Sequence, residues 1–144
     1  MQSKDKLFLF GNRSNGEAPF AARVRPPQHD ESAITAAQVW ISDNYATSNP
    51  VAGMTGASGL TVRTFNRRFE AATGYTPLDY VQSLRMEEAK QMLEASDTAI
   101  DEIAEEVGYT EPAAFRRLFK CSTGITPLQY RQRFRQVALL DYNT

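Results

Sequence analysis

From Glu31 onward, apolar residues recur at three- and four-residue steps, the period of an amphipathic helix rather than a strand. Ile34, Ala37, Trp40, Ile41 and Tyr45 form one face of a first helix of about three turns. A second helix from Pro50 to Ala57 contains Gly53 and Gly56. Each costs about 1 kcal/mol relative to alanine. Asn49 is a good cap but offsets only part of that, so this helix is expected to be short or frayed. Pro77 to about Ala95 reads as one long helix, roughly 28 Å at about 1.5 Å per residue. Its face of Val81, Leu84, Ala89, Met92 and Leu93 suits a spacer packed on both sides. Thr98 can cap a further helix with an apolar face of Ile100, Ile103, Ala104 and Val107, Asp101 standing at capping-box spacing. Gly108 ends it. The next helix opens at Glu111-Pro112, with proline at its first position, and Gly124 closes it. By contrast, residues 1–30 show no sustained period. Lys6 to Phe10 could form one short strand, and Gly11 to Pro27 has the composition of a linker or of the trailing edge of a missing domain.

An internal repeat organises this pattern. Thr73-Gly74-Tyr75-Thr76-Pro77-Leu78-Asp79-Tyr80 returns as Thr123-Gly124-Ile125-Thr126-Pro127-Leu128-Gln129-Tyr130, identical at six of eight positions and fifty residues on. Phe65-Asn66-Arg67-Arg68-Phe69 pairs with Phe115-Arg116-Arg117-Leu118-Phe119 at the same offset, and Ser58-Gly59-Leu60 with Val107-Gly108-Tyr109 at one residue less. Each copy reads as helix, tight turn, helix, short loop, helix. The Thr-Pro segments at 76–77 and 126–127 are capped helix starts. The expected fold is therefore all-α, with two helix-turn-helix subdomains joined by a long linking helix. The first unit runs over about 33–75, the linking helix over about 77–95, and the second unit over about 98–136, within a domain of residues 31–144.

Two helices meeting at a glycine turn are the geometry that places a second helix in the DNA major groove. Projected at about 100° per residue, the second helix of the first copy puts Val62, Phe65 and Phe69 on the core side. Arg63 and Arg67 fall opposite, flanked by Thr64 and Asn66. In the second copy Phe115, Leu118 and Phe119 face the core, Ala113, Arg117 and Lys120 face out, and Arg116 lies at the edge. Arginine can grip guanine with two hydrogen bonds, and asparagine can do the same for adenine. Tyr80 and Tyr130 read as packing residues.

A formal net charge of -1 argues against nucleic acid until its distribution is considered. Thr61 to Phe69 holds three arginines and no acid. Ala113 to Lys120 holds Arg116, Arg117 and Lys120, again without an acid, and Arg131, Arg133 and Arg135 follow. Glu87, Glu88, Asp101, Glu102, Glu105 and Glu106 sit on other elements. Phosphates respond to such a local field rather than to the sum.

The remaining chemistry is sparse. One cysteine (Cys121) and one histidine (His29) are too few for a zinc cluster or a Cys–His dyad, so no metal, no cofactor and no enzymatic activity are expected. A lone cysteine fits a reducing, cytoplasmic setting. No apolar run approaches the roughly 20 residues of a membrane span, and none near Met1 is long enough for a secretory signal. The alternative to a DNA-binding domain is a helical interaction module whose basic face meets an acidic protein. Dependence of binding on DNA sequence separates the two.

Ile100-x-x-Ile103-Ala104-x-x-Val107-Gly108-Tyr109, then Phe115-x-Arg117-x-Phe119-Lys120, then Thr123-Gly124-x-Thr126-Pro127-x-x-Tyr130-Arg131 resembles the signature of the AraC/XylS family of transcription regulators. The resemblance covers about Ile34 to Phe134. It implies seven helices and two helix-turn-helix units binding adjacent major-groove segments of a double-stranded operator. It implies base contacts from Arg63, Asn66 and Arg67, with Ala113, Arg116 and Arg117 at the matching positions of the second unit. RNA polymerase is a further candidate partner of such a regulator. Pro112 and Ala113 depart from the pattern, being small and apolar where polar readers are common, as does the glycine-bearing helix at 50–57. The stretch Ala18 to Pro27 is similar to the junction in a subgroup whose N-terminal domain resembles class I glutamine amidotransferases. On that basis the effector-sensing domain is expected to be absent from this chain.

Overall fold

The computed structural model describes the backbone of residues 29–142 and the side chains of residues 31–138. The strand expected at Lys6 to Phe10, the linker that follows it and the junction at Ala18 to Pro27 lie outside these. The described residues form seven helices and no strand: α1 (His29–Asn44), α2 (Pro50–Ser58), α3 (Val62–Thr73), α4 (Pro77–Ala95), α5 (Ile100–Glu106), α6 (Pro112–Thr123) and α7 (Pro127–Tyr142). Helix α1 starts two residues before the periodicity becomes readable at Glu31.

Two hydrophobic cores share one helix. The first is built from Ile34, Ala37, Ile41, Met54, Phe65, Phe69 and Val81, with Trp40, Leu60, Tyr80 and Leu84 packed against it. The second gathers Met86, Ala89, Leu93, Ile103, Ala104, Val107, Phe115 and Phe119, with Met92, Ile100, Tyr109, Leu118 and Tyr130 at its edge. Helix α4 thus gives its first turns to one core and the rest to the other. Tyr45 packs against both.

The repeat is structural as well as textual. Thr73 donates its hydroxyl to the carbonyl of Phe69 at 2.9 Å and accepts from the amide of Tyr75 at 3.1 Å. Thr123 does the same with Phe119 and Ile125, at 2.9 and 3.3 Å. Thr76 caps α4 by accepting from the amide of Asp79 at 3.1 Å. At α7, Thr126 and Gln129 form a full reciprocal capping box, at 3.0 and 3.1 Å. Edge-to-face ring contacts of 5.2 Å for Phe69–Tyr80 and 5.6 Å for Phe119–Tyr130 lock α3 to α4 and α6 to α7.

Four expectations are corrected. Val62, expected on the core side, is 62% exposed: it is the first residue of α3, where a position can share the apolar period with no neighbouring element covering it. Thr98 does not cap α5, which starts after Ala99 without a side-chain cap. Its amide and hydroxyl engage the Ser96 hydroxyl instead, and its carbonyl accepts from Arg131 at 2.7 Å. Asn49 likewise supplies no side-chain cap to α2; only its carbonyl accepts, from the amide of Gly53.

The fourth concerns Gly53. It is a packing residue rather than a weak point: a Cβ there would lie 2.0 Å from Cη2 of Trp40 and 2.6 Å from two more ring atoms. Gly56 has nothing within 4 Å of the corresponding position. Gly53→Ala should therefore destabilise by about 1–3 kcal/mol, because the half-buried indole must swing out of its seat. Gly56→Ala should stabilise by about 0.4–1 kcal/mol through the unfolded chain. Denaturant midpoints of the two variants test this, and equal shifts would show that Trp40 does not need the glycine.

Candidate nucleic-acid interface

Helix α3 begins under a cap in which Thr61 accepts from the amide of Thr64 at 3.3 Å. With Phe65 and Phe69 fully buried, helical geometry turns the opposite face outward. Arg63, Asn66 and Arg67 are exposed there, with Thr64 half-buried beside them. None of these three long side chains makes an ion pair or a side-chain hydrogen bond among the described residues. Arg68, one position round, is half-buried.

Helix α6 repeats the arrangement. Phe115 and Phe119 are buried, Leu118 is half-buried, and Ala113, Arg116, Arg117 and Lys120 are exposed. Here the expectation that the acids lie apart from the basic face needs one correction. Arg116 pairs across helices with Asp101 of α5 at 2.5 Å. The pair is about half exposed at both ends, at 49% and 61%, so it is worth at most about 1 kcal/mol. It can be exchanged for another anion. Arg117 and Lys120 have no such partner among the described residues.

The basic run that follows α6 divides by environment. Arg131 is only 8% exposed and donates to the carbonyls of Leu93 and Thr98, at 3.2 and 2.7 Å. It ties α7 to the end of α4 and cannot reach an external phosphate. Arg135 donates to the carbonyl of Ser96 at 3.2 Å and to Asp97, whose carboxyl is held below its usual range by that hydrogen bond and by the charge. Arg133 alone of the three is exposed and unpaired among the described residues.

Tyr130 donates to Glu94, and burial together with that carboxylate raises its phenol far above the ordinary range. It is a packing group, as is Tyr80, whose phenol burial also raises. Among the described residues no cluster of His, Cys, Asp and Glu could hold a metal ion, and no helix is long and apolar enough to cross a membrane. Cys121 is an exposed thiol on α6.

Two helix-turn-helix units, each presenting a basic outer face on its second helix, define the architecture of a double helix-turn-helix protein. The family model described as a helix-turn-helix domain matches residues 54–133, more than half of the chain. The chain belongs to this AraC-type helix-turn-helix family. Among solved structures it is similar to the DNA-binding domain of AdpA, crystallised in complex with a target DNA, at 30% identity and a TM-score of 0.69. That match covers 72% of this chain and 94% of the other. The C-terminal domain of the response regulator yesN from Fusobacterium nucleatum matches at 31% identity and a TM-score of 0.66, covering 69% and 98% of the two chains. Among curated relatives, the transcriptional activator RhaS of Pectobacterium atrosepticum is 33% identical over 76 residues, or 53% of this chain. The chain spans only 27% of the length of that relative.

The sorting of the arginines can be tested without a ligand. Arg131→Ala strands two carbonyls in a dry joint and should lower stability by about 1.5–3 kcal/mol. Arg133→Ala should change it by less than about 0.5 kcal/mol. Similar urea midpoints for the two variants would show that Arg131 is not the tie described.

Proposed function

We propose that this chain is a sequence-specific binder of double-stranded DNA that acts in transcription regulation, with α3 and α6 entering adjacent major-groove segments. Residues 31–144 constitute the DNA-binding domain. Arg63, Thr64, Asn66 and Arg67 contact the DNA from the first unit, and Ala113, Arg116, Arg117 and Lys120 from the second. The observation that carries this reading is the exposed basic row on each of two equivalent helices, with Arg63, Arg67, Arg117 and Lys120 unpaired among the described residues and the opposite faces locked by buried phenylalanines. Long cations held outward on rigid helices, all but Arg116 without a carboxylate partner among the described residues, suit an anionic partner. Arginine and asparagine at one-turn spacing suit base edges. The family's helix-turn-helix fold and the DNA-bound state of the AdpA domain support the choice of DNA over an acidic protein. RhaS is named as a transcriptional activator, and the same kind of regulation is our reading for this chain; a cytoplasmic setting is our reading from its lone cysteine.

Selection of bound sites from a random duplex pool tests the reading: recovery of one recurring motif is expected, and unselective retention would overturn it. On the selected site, about five phosphate contacts drawn from Arg63, Arg67, Arg68, Arg116, Arg117, Lys120 and Arg133 should give a log–log salt slope near -4 to -5. A slope near zero would exclude this face.

The two units should differ in what their arginines do. Arg67 stands with Arg63 and Asn66, all able to make directed bonds to base edges, whereas Arg117 stands beside the methyl of Ala113. Arg67→Ala should cost about 1–3 kcal/mol on the selected site and relax preference at one or two base pairs. Arg117→Ala should weaken all sequences more evenly. Asp101→Asn, which releases Arg116 and removes an acid near the DNA, should raise affinity about two- to fivefold. A panel of single-base operator variants decides the assignment; loss of preference with Arg117→Ala but not with Arg67→Ala would reverse it.

A further inference from the structure

Arg85, in the middle of α4, is a buried cation without a carboxylate. The residue is only 8% exposed. Nε donates to the carbonyl of Tyr45 at 2.7 Å and Nη2 to the carbonyl of Thr47 at 2.9 Å, both in the loop that leaves α1. The second unit covers its other side: Cζ lies 5.0 Å from the ring centroid of Tyr109, in a cation–π contact. Gly108 is pressed against the same group, for a Cβ there would fall 2.8 Å from Arg85 Cζ and 3.0 Å from the Cα of Ala46. With φ at 111°, that glycine sets the turn between α5 and α6 flush on the clamp. Tyr45, beside it, touches both cores, and its phenol is raised by burial and by the nearby Glu88 and Glu106. The first unit, the linking helix and the second unit therefore meet at one side chain.

The repeat supplies an internal control. Fifty residues on, Arg135 holds the equivalent place in α7 and reaches back in the same way, to Ser96 and Asp97 in the loop that leaves α4. Its side chain is 46% exposed. The backward reach is thus a property of each unit, whereas the burial of Arg85 is added by Gly108 and Tyr109 from the other unit. A lysine could not reproduce the joint: it offers a point charge in place of a planar fork that bridges two carbonyls while stacking on a ring.

We propose that Arg85 is a specificity-determining positioning residue: its clamp holds the two recognition helices at one separation and so sets which spacing of half-sites the chain accepts. This rests on the DNA-binding reading above. One inserted base pair displaces a half-site by about 3.4 Å and rotates it by about 35°. Two rigidly joined helices cannot follow such a shift, and the gain from simultaneous engagement is lost when geometry forbids it.

The test needs no DNA for its first arm. Ala71 on α3 and Cys121 on α6 are exposed and stand fifty residues apart at equivalent positions. Ala71→Cys, with the native Cys121, therefore allows a spin label on each recognition helix of the full chain. Pulsed electron–electron distance measurement should give one narrow distribution with Arg85 in place. Arg85→Met should give a broad or shifted one in protein that retains its helical circular dichroism and a cooperative melt. An unchanged narrow distribution would overturn the proposal. If Arg85→Met does not fold, Tyr109→Leu, which removes the covering ring and leaves both carbonyl bonds, carries the same readout. In the second arm, wild-type protein should lose about 10- to 100-fold in affinity when one base pair is inserted between half-sites of its selected site. The folded variant should lose less than about threefold. Failure to select any site counts against DNA binding itself. Selection with full spacing discrimination in the variant counts against Arg85 alone.

Discussion

A helix that serves two hydrophobic cores has to divide its length between them, and the rest of this molecule is arranged around that division in α4. Val81 and Leu84 close the first core, and Met86, Ala89 and Leu93 build the second. Because rise and twist per residue are fixed in a helix, the positions of these residues fix where each unit docks and how far it is turned. Each recognition helix is then registered against its neighbours by buried phenylalanines and by one edge-to-face tyrosine, Tyr80 or Tyr130. Orientation of the two basic rows thus follows from packing on a shared rod rather than from any direct contact between α3 and α6.

The arginines show how one residue type is put to different uses by burial. Arg85 and Arg131 are buried and satisfied by main-chain carbonyls, so they act as ties between elements. Charge-assisted bonds of this kind are worth more than neutral ones, and a buried cation that lost them would be costly. Arg116 and Arg135 are half exposed and paired with carboxylates. Arg63, Arg67 and Arg117 have neither kind of partner among the described residues. This last group, with Arg133 of α7, offers its full hydrogen-bonding capacity outward. A count of basic residues per segment cannot make that separation.

The fold was legible because its signals are local and repeated. The Thr-Gly-x-Thr-Pro-Leu-x-Tyr segment carries a helix end and a helix start in eight residues, and it occurs twice. Seven helices, the extent of α4 and the buried phenylalanines follow from it and from periodicity. What was not legible depends on contacts far apart in the chain. Gly53 looks like a helix breaker until Trp40, on another helix, is found occupying the space of its missing Cβ. Thr98 has the residue type and spacing of a cap, yet its groups are taken by Ser96 and by Arg131 from α7. Val62 has core periodicity but sits at a helix start, where a face can be apolar with nothing opposite it. Arg131, counted with the outward cations from its neighbours in sequence, points the other way because Leu93 and Thr98 lie beneath it.

Comparison of the two units separates what packing demands from what it leaves free. At an offset of fifty, the inward positions agree in kind: Phe65 with Phe115, Phe69 with Phe119, Tyr80 with Tyr130. Interiors at crystal-like density tolerate little change in shape at such positions. The outward positions differ in size and charge: Arg63 with Ala113, Asn66 with Arg116, Glu70 with Lys120. Substitution there is invisible to the core, since exposed side chains contribute little to stability. The same scaffold therefore presents two chemically distinct faces at fixed relative positions. In the first, directed hydrogen-bonding groups cluster on one turn. In the second, charge is more evenly spread and one arginine is already engaged by Asp101. The chemical difference between the two faces thus lies in side chains that the fold does not need, held in place by side chains that it does.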